Sequence, residues 1–79
     1  MDIKTLRQLY DEGLLLSATA IAVSSDEELW ELIFEKGNGG VEKITKARSS
    51  EPKIYKRING AIADAKSIGF SRMQIDFGQ

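Results

Sequence analysis

The sequence predicts an α+β fold. Two helices pack on one face of a mainly antiparallel sheet of four to five strands, in the order α-β-β-β-(β)-α-β. Three observations lead there. Ile3, Leu6, Leu9 and Tyr10, and again Ile58, Ala61, Ile62 and Ala65, recur at the spacing of one helical face. Trp30, Leu32 and Phe34 share one strand face at period two, with Glu31 and Glu35 on the other beside Leu29 and Ile33. Between that run and the next lies "GNGG", whose Asn-Gly pair marks a hairpin. At 79 residues the chain makes a single domain, residues 1–79. A chain of that size buries only about 60% of its unfolded surface, so each large apolar residue matters.

The first helix is expected over about Ile3 to Glu12, with Asp2 as its cap and Gly13 ending it in a left-handed conformation. "LLLSATAIAV", Leu14 to Val23, holds the first strand from about Ser17. Its length is far below a membrane span, and the acidic Asp2, Asp11 and Glu12 ahead of it do not suit a secretion signal. Ala18, Ala20 and Ala22 share one face and would let a helix approach closely; Thr19, Ile21 and Val23 line the other. "SSDEE" is a polar turn, and the second strand runs about Leu29 to Lys36. A third strand, Val41 to Ala47, closes the hairpin, with both central turn residues expected at positive φ. "KIYK" (Lys53 to Lys56) reads as a short fourth strand. The second helix spans about Ile58 to Ser67, locally weakened by Gly60, and Gly69-Phe70 reads as its stop, the ring folding back onto it. Met73 to Phe77 is the last strand, with Met73, Ile75 and Phe77 pointing one way.

Composition narrows the chemistry. The chain has no histidine and no cysteine, so the commonest general base, the commonest metal ligand and any disulfide are excluded. The missing cysteines suit a reducing, cytoplasmic setting. "GNGG" has no helix behind it to cradle a phosphate, and the hairpin accounts for it. Glu31 and Glu35 share a strand face but stand roughly 13 Å apart, at about 3.3 Å per residue, too far to hold one ion. The serines lack a histidine and a nucleophile-elbow pattern. Neither a metal, a cofactor nor catalysis is expected.

Charge is distributed unevenly. Residues 1–42 carry nine acids and three bases; residues 43–79 carry eight bases and three acids; the whole chain sums to -1. "KITKARSSEPKIYKR" concentrates the bases around Tyr55. Lys43, Lys46, Arg48, Lys53, Lys56 and Arg57 could neutralise phosphates while Tyr55 stacks on a base. The same lysines also serve to keep a solvated strand edge from pairing with other chains. Trp30 is a packing anchor if buried and a binding hot spot if exposed; Glu31 and Glu35, on the other face of the strand, are the further candidate protein-interface residues.

The order α-β-β-β-α is similar to that of a double-stranded-RNA-binding domain, with Lys56 and Arg57 where such domains carry lysines at the start of the last helix. The lysine pair with its following Ala-Lys is absent, and an extra strand follows. A second resemblance covers most of the chain. "LRQLYDEGLLLSATAI" and "ARSSEPKIYKRINGAIADAKSIGFSRMQID" resemble small accessory proteins encoded on plasmids and integrative elements, some labelled plasmid replication proteins. The matching positions are mostly Gly13, Ala47, Arg48, Glu51, Pro52, Gly69 and Phe70, while Arg57 stands where a small capping residue is expected. The resemblance implies an accessory factor of a mobile element. Together these readings lead to the expectation of a non-catalytic binding protein that contacts nucleic acid through the basic strip. The alternative is a protein–protein adaptor or homodimer using a strand edge or the acidic Trp30 strand. No membrane association is expected.

Overall fold

The computed structural model describes residues 2–23, 29–45 and 51–77. Along the chain come α1 (Ile3–Asp11), β1 (Leu15–Ala22), β2 (Trp30–Lys36), β3 (Val41–Lys43), β4 (Ile54–Tyr55), α2 (Ile58–Ile68) and β5 (Gln74–Asp76). The α+β class and the order of elements match the sequence reading. The sheet runs β3-β2-β1-β5, with β4 also on β2. All pairings are antiparallel except β1 with β5, which is parallel.

Local chemistry sets both ends of α1. The Asp2 carboxylate accepts the Thr5 N–H at 2.8 Å, and this bond to the charged form holds the Asp2 carboxyl below its usual range. At the other end Gly13 takes φ 77°. Its N–H donates to the Tyr10 carbonyl, and the Leu14 N–H to the Leu9 carbonyl, which makes a Schellman stop. The end of α2 is built on the same logic. Gly69 lies at φ 132°, and both Gly69 and Phe70 donate to the Ala65 carbonyl. A Cβ at Gly69 would sit 2.8 Å from the Tyr10 ring, so glycine is required twice over. As expected, Phe70 folds back: its ring stacks 5.7 Å from Phe34 and meets Tyr10 edge-on at 4.7 Å.

Three boundaries differ from the sequence reading. β1 starts two residues early, at Leu15, because that side chain is buried; a bulge between Leu15 and Ser17 absorbs the change of register. The hairpin turn is not the two-residue type. Gly39 N–H bonds to the Lys36 carbonyl and Lys36 N–H to the Gly40 carbonyl, with Gly39 alone among the turn glycines at positive φ. That is a three-residue loop ending in a glycine bulge. The Asn38 side chain accepts the Gly40 N–H at 2.9 Å. Finally, the third strand ends at Lys43, and Ala47 lies outside the described residues. Lys43 pairs with Ile33 and Ile54 with Glu31, so β3 and β4 are two pieces of one line along the same edge of β2. Between them Ile44 leaves the ladder, and Thr45 forms an isolated antiparallel bridge with Pro52. Ile44 turns into the core (4% exposed) instead of continuing the strand, and its carbonyl accepts the Lys53 N–H at 2.7 Å.

One face of the sheet holds the core. Ala18 and Ala20 from β1, Trp30, Leu32 and Phe34 from β2, and Tyr55 from β4 pack against Leu6, Ala61, Ala65 and Ile68 of the helices. The alanines let the helices come close, as their spacing predicts. The same closeness explains Gly60, a weak helix former, since a Cβ there would lie 3.1 Å from the Tyr55 ring. Phe34, Leu32, Leu6 and Ile68 are fully buried, each stabilising the fold by about 1.5–3 kcal/mol in transfer terms.

Candidate functional site

The residues of the proposed basic strip do not share one fate. Tyr55 is a core residue, 5% exposed, and its hydroxyl donates to the Asp64 carboxylate of α2. Burial first, and then the neighbouring carboxylate, hold its pKa well above the ordinary tyrosine value, so the hydroxyl remains a donor. The expectation that Tyr55 stacks on a base is therefore corrected, because its ring has no accessible face to offer. The physical reason is β4: pairing with Trp30 turns the ring toward the helix side, where Gly60 makes room.

Lys53 is drawn into the same cluster. Its ammonium lies 3.2 Å from Asp64 and 4.9 Å from the Tyr55 ring centroid. Lys43 forms an ion pair with Glu31, its diagonal neighbour across the β2–β3 ladder. Lys56 and Arg57 are exposed, just before α2, and no carboxylate among the described residues pairs with them. Lys46 and Arg48 lie outside the described residues. The chain thus brings Lys53 and Tyr55 together through an acid, and leaves Lys56 and Arg57 as the described strip cations facing solvent.

Sequence reasoning missed Asp64. The available signal was its position between Ala61 and Ala65 on α2, an acid bordering the apolar stripe in the basic half of the chain.

Trp30 is also settled by burial. At 8% exposure it is a core anchor and not a surface hot spot, packed edge-on against the ring of Phe77 at 6.1 Å. Its indole N–H has no hydrogen-bond partner among the described residues. Glu31 and Glu35 occupy the opposite face of β2, as the period-two alternation predicts.

That opposite face, which carries the candidate interface residues Glu31 and Glu35, is covered by neither helix. Cross-strand partners place Ile21, Glu31 and Ile54 in one row, Thr19, Ile33 and Lys43 in the next, and Ser17, Glu35 and Val41 in a third. Ile21 and Ile33 are half-buried, whereas Val41 is 55% and Ile54 40% exposed. The result is a mixed surface in which Ile21, Ile33, Val41 and Ile54 surround the Glu31–Lys43 ion pair. Among the described residues, no group of three carboxylates gathers where it could hold a metal. No described helix is long and apolar enough to cross a membrane. In comparisons with protein-family models, curated proteins and solved structures, the chain matches none.

Proposed function

We propose that the chain is a non-catalytic interaction module whose partner is another protein, docking on the sheet surface that the helices leave uncovered. The observation that carries this reading is the exposure of Val41 and Ile54 beside Ile21 and Ile33 around a paired Glu31 and Lys43. Isolated exposed apolar residues are ordinary, but Ile21, Val41 and Ile54 lie diagonally around Ile33 on one sheet face, and such a cluster rimmed by charges is the kind of surface a partner covers. The resemblance to plasmid and integrative-element accessory proteins supplies the setting: an adaptor serving a mobile element.

Nucleic-acid binding is the second reading, supported by the exposed Lys56 and Arg57. The two differ in salt response, since phosphate contacts release counterions and weaken steeply with salt, while an apolar interface barely changes. The test compares tagged wild type, Val41→Asp/Ile54→Asp and Lys56→Ala/Arg57→Ala, each checked for folding by circular dichroism. The readouts are capture of a protein partner from extract and anisotropy of labelled duplex DNA, single-stranded DNA and double-stranded RNA. The adaptor reading expects a nuclease-resistant, salt-insensitive protein partner that only the Val41/Ile54 variant loses. Salt-sensitive binding of a nucleic acid, lost in the Lys56/Arg57 variant alone, would replace it.

A further inference from the structure

A second surface lies at the edge of the sheet, where β1 outruns β5. The two strands pair only over Thr19–Ile21 and Gln74–Asp76, so Leu15–Ala18 extends past the start of β5. Residues 70–73 do not follow β1 there, because Phe70 is drawn inward against Phe34 and Tyr10. The gap is an open groove of about 730 Å³. Its apolar walls include Leu15, Phe70 and Met73.

Its polar groups include backbone of the β1 edge, the hydroxyls of Tyr10, Ser17 and Ser71, the Gln74 amide and one cation, Arg72. Val23 N–H bonds across to Leu29 of the β2 side, and backbone groups of successive strand residues face opposite edges. Ala18, Ala20 and Ala22 therefore turn theirs toward β5. Ala20 is met there by the Gln74–Asp76 ladder, but no backbone bond from residues 70–73 reaches the Ala18 N–H. The Thr19 hydroxyl donates to Gln74 Oε1 at 3.4 Å, which leaves the Gln74 amide nitrogen as a donor. Arg72, exposed and unpaired with any carboxylate among the described residues, lines the same groove.

An occupant is specified by these features. A strand added along Leu15–Ala18 in the direction of β1 meets the start of β5 after about four residues and must stop there. The slot therefore suits a chain end, and a lining with Arg72, two residues before β5, and no carboxylate suits an anion. We propose that this groove captures the free carboxylate terminus of an extended peptide from a partner protein, laid along β1 in line with β5, its carboxylate received by Arg72 and the Ala18 N–H. This is strand addition combined with carboxylate capture. It rests on the reading of the chain as a protein-binding module and gives that module a ligand class.

The probe is an equimolar pool of acetylated tetrapeptides with three varied positions and a C-terminal valine, as free acid and as amide, titrated into the ¹⁵N-labelled full chain. The free-acid pool is expected to shift the amides of Ala18 and Gln74 saturably. The amide pool, and the free-acid pool against Arg72→Gln, should each bind about tenfold more weakly, as loss of a charge-assisted contact predicts. Lys4→Gln, on the far end of α1, should bind like wild type. A dispersed spectrum for Arg72→Gln establishes that it is folded. Three results would overturn the proposal: no saturable shift at millimolar peptide, equal binding of acid and amide, or N-acetylvaline binding as tightly as the tetrapeptides. The last would mean a single-amino-acid site without strand addition. Failure here is separable from failure of the adaptor reading, because that reading is decided at Val41 and Ile54, whose amides the same spectra report.

Discussion

Replacing Tyr55 by phenylalanine tests the central correction made to the basic strip. The substitution removes only a hydroxyl. In the folded chain that hydroxyl donates to the Asp64 carboxylate, and the tyrosine is 5% exposed. A hydrogen bond to a charged group contributes about 1.5–3 kcal/mol net. Asp64 retains Lys53 at 3.2 Å in the variant and is not left unpaired, which places the loss at the lower end. The expected cost is thus about 1.5 kcal/mol, or about 6–12 °C in melting temperature for a domain of this size. Thermal and urea unfolding followed by far-ultraviolet circular dichroism measure it, with Tyr10→Phe as a matched control expected to change little. A loss below about 0.5 kcal/mol, the range of ordinary surface substitutions, would refute the reasoning. Tyr55 would then be a surface ring, and stacking on a base would return as its role.

The remaining predictions follow from the same contacts. Because the folded chain holds the Tyr55 pKa above its unfolded value, the unfolded state ionises first; stability should be complete below pH 10 and fall by about 1.4 kcal/mol per unit above it. Tyr55→Phe should abolish that slope in alkaline urea titrations. Gly69→Ala must combine positive φ with a Cβ 2.8 Å from the Tyr10 ring; backbone strain and overpacking together should cost about 2–4 kcal/mol by urea unfolding. The Lys43 side chain is 43% exposed, so Lys43→Ala should cost less than about 1 kcal/mol, the usual worth of a surface ion pair. Phe34→Ala, at a fully buried position, should cost about 3–5 kcal/mol, enough to unfold most of a small domain, as circular dichroism would show.

Features whose causes lie within a few residues were legible in the sequence. Asp2 caps α1 because its carboxylate reaches the third amide along, and Gly13 and Gly69 end their helices because left-handed backbone favours glycine. Period-two alternation put Trp30, Leu32 and Phe34 on one face, and burial follows that pattern. The alanines of β1 announced a close helix in the same way. Tertiary structure alone decided what depends on partners far along the chain. The parallel placement of β5, the division of the β2 edge between β3 and β4, and the inward turn of Ile44 are choices among pairings that local pattern leaves equal. So is the fate of the basic strip: charge is visible in a sequence, but whether a cation meets an acid depends on where α2 lands. Asp64 arrives nine residues after Tyr55 on that helix and takes both the tyrosine hydroxyl and Lys53. The groove between β1 and residues 70–73 has the same origin, since it exists only because Phe70 is pulled into the core before β5 can lengthen its pairing with β1.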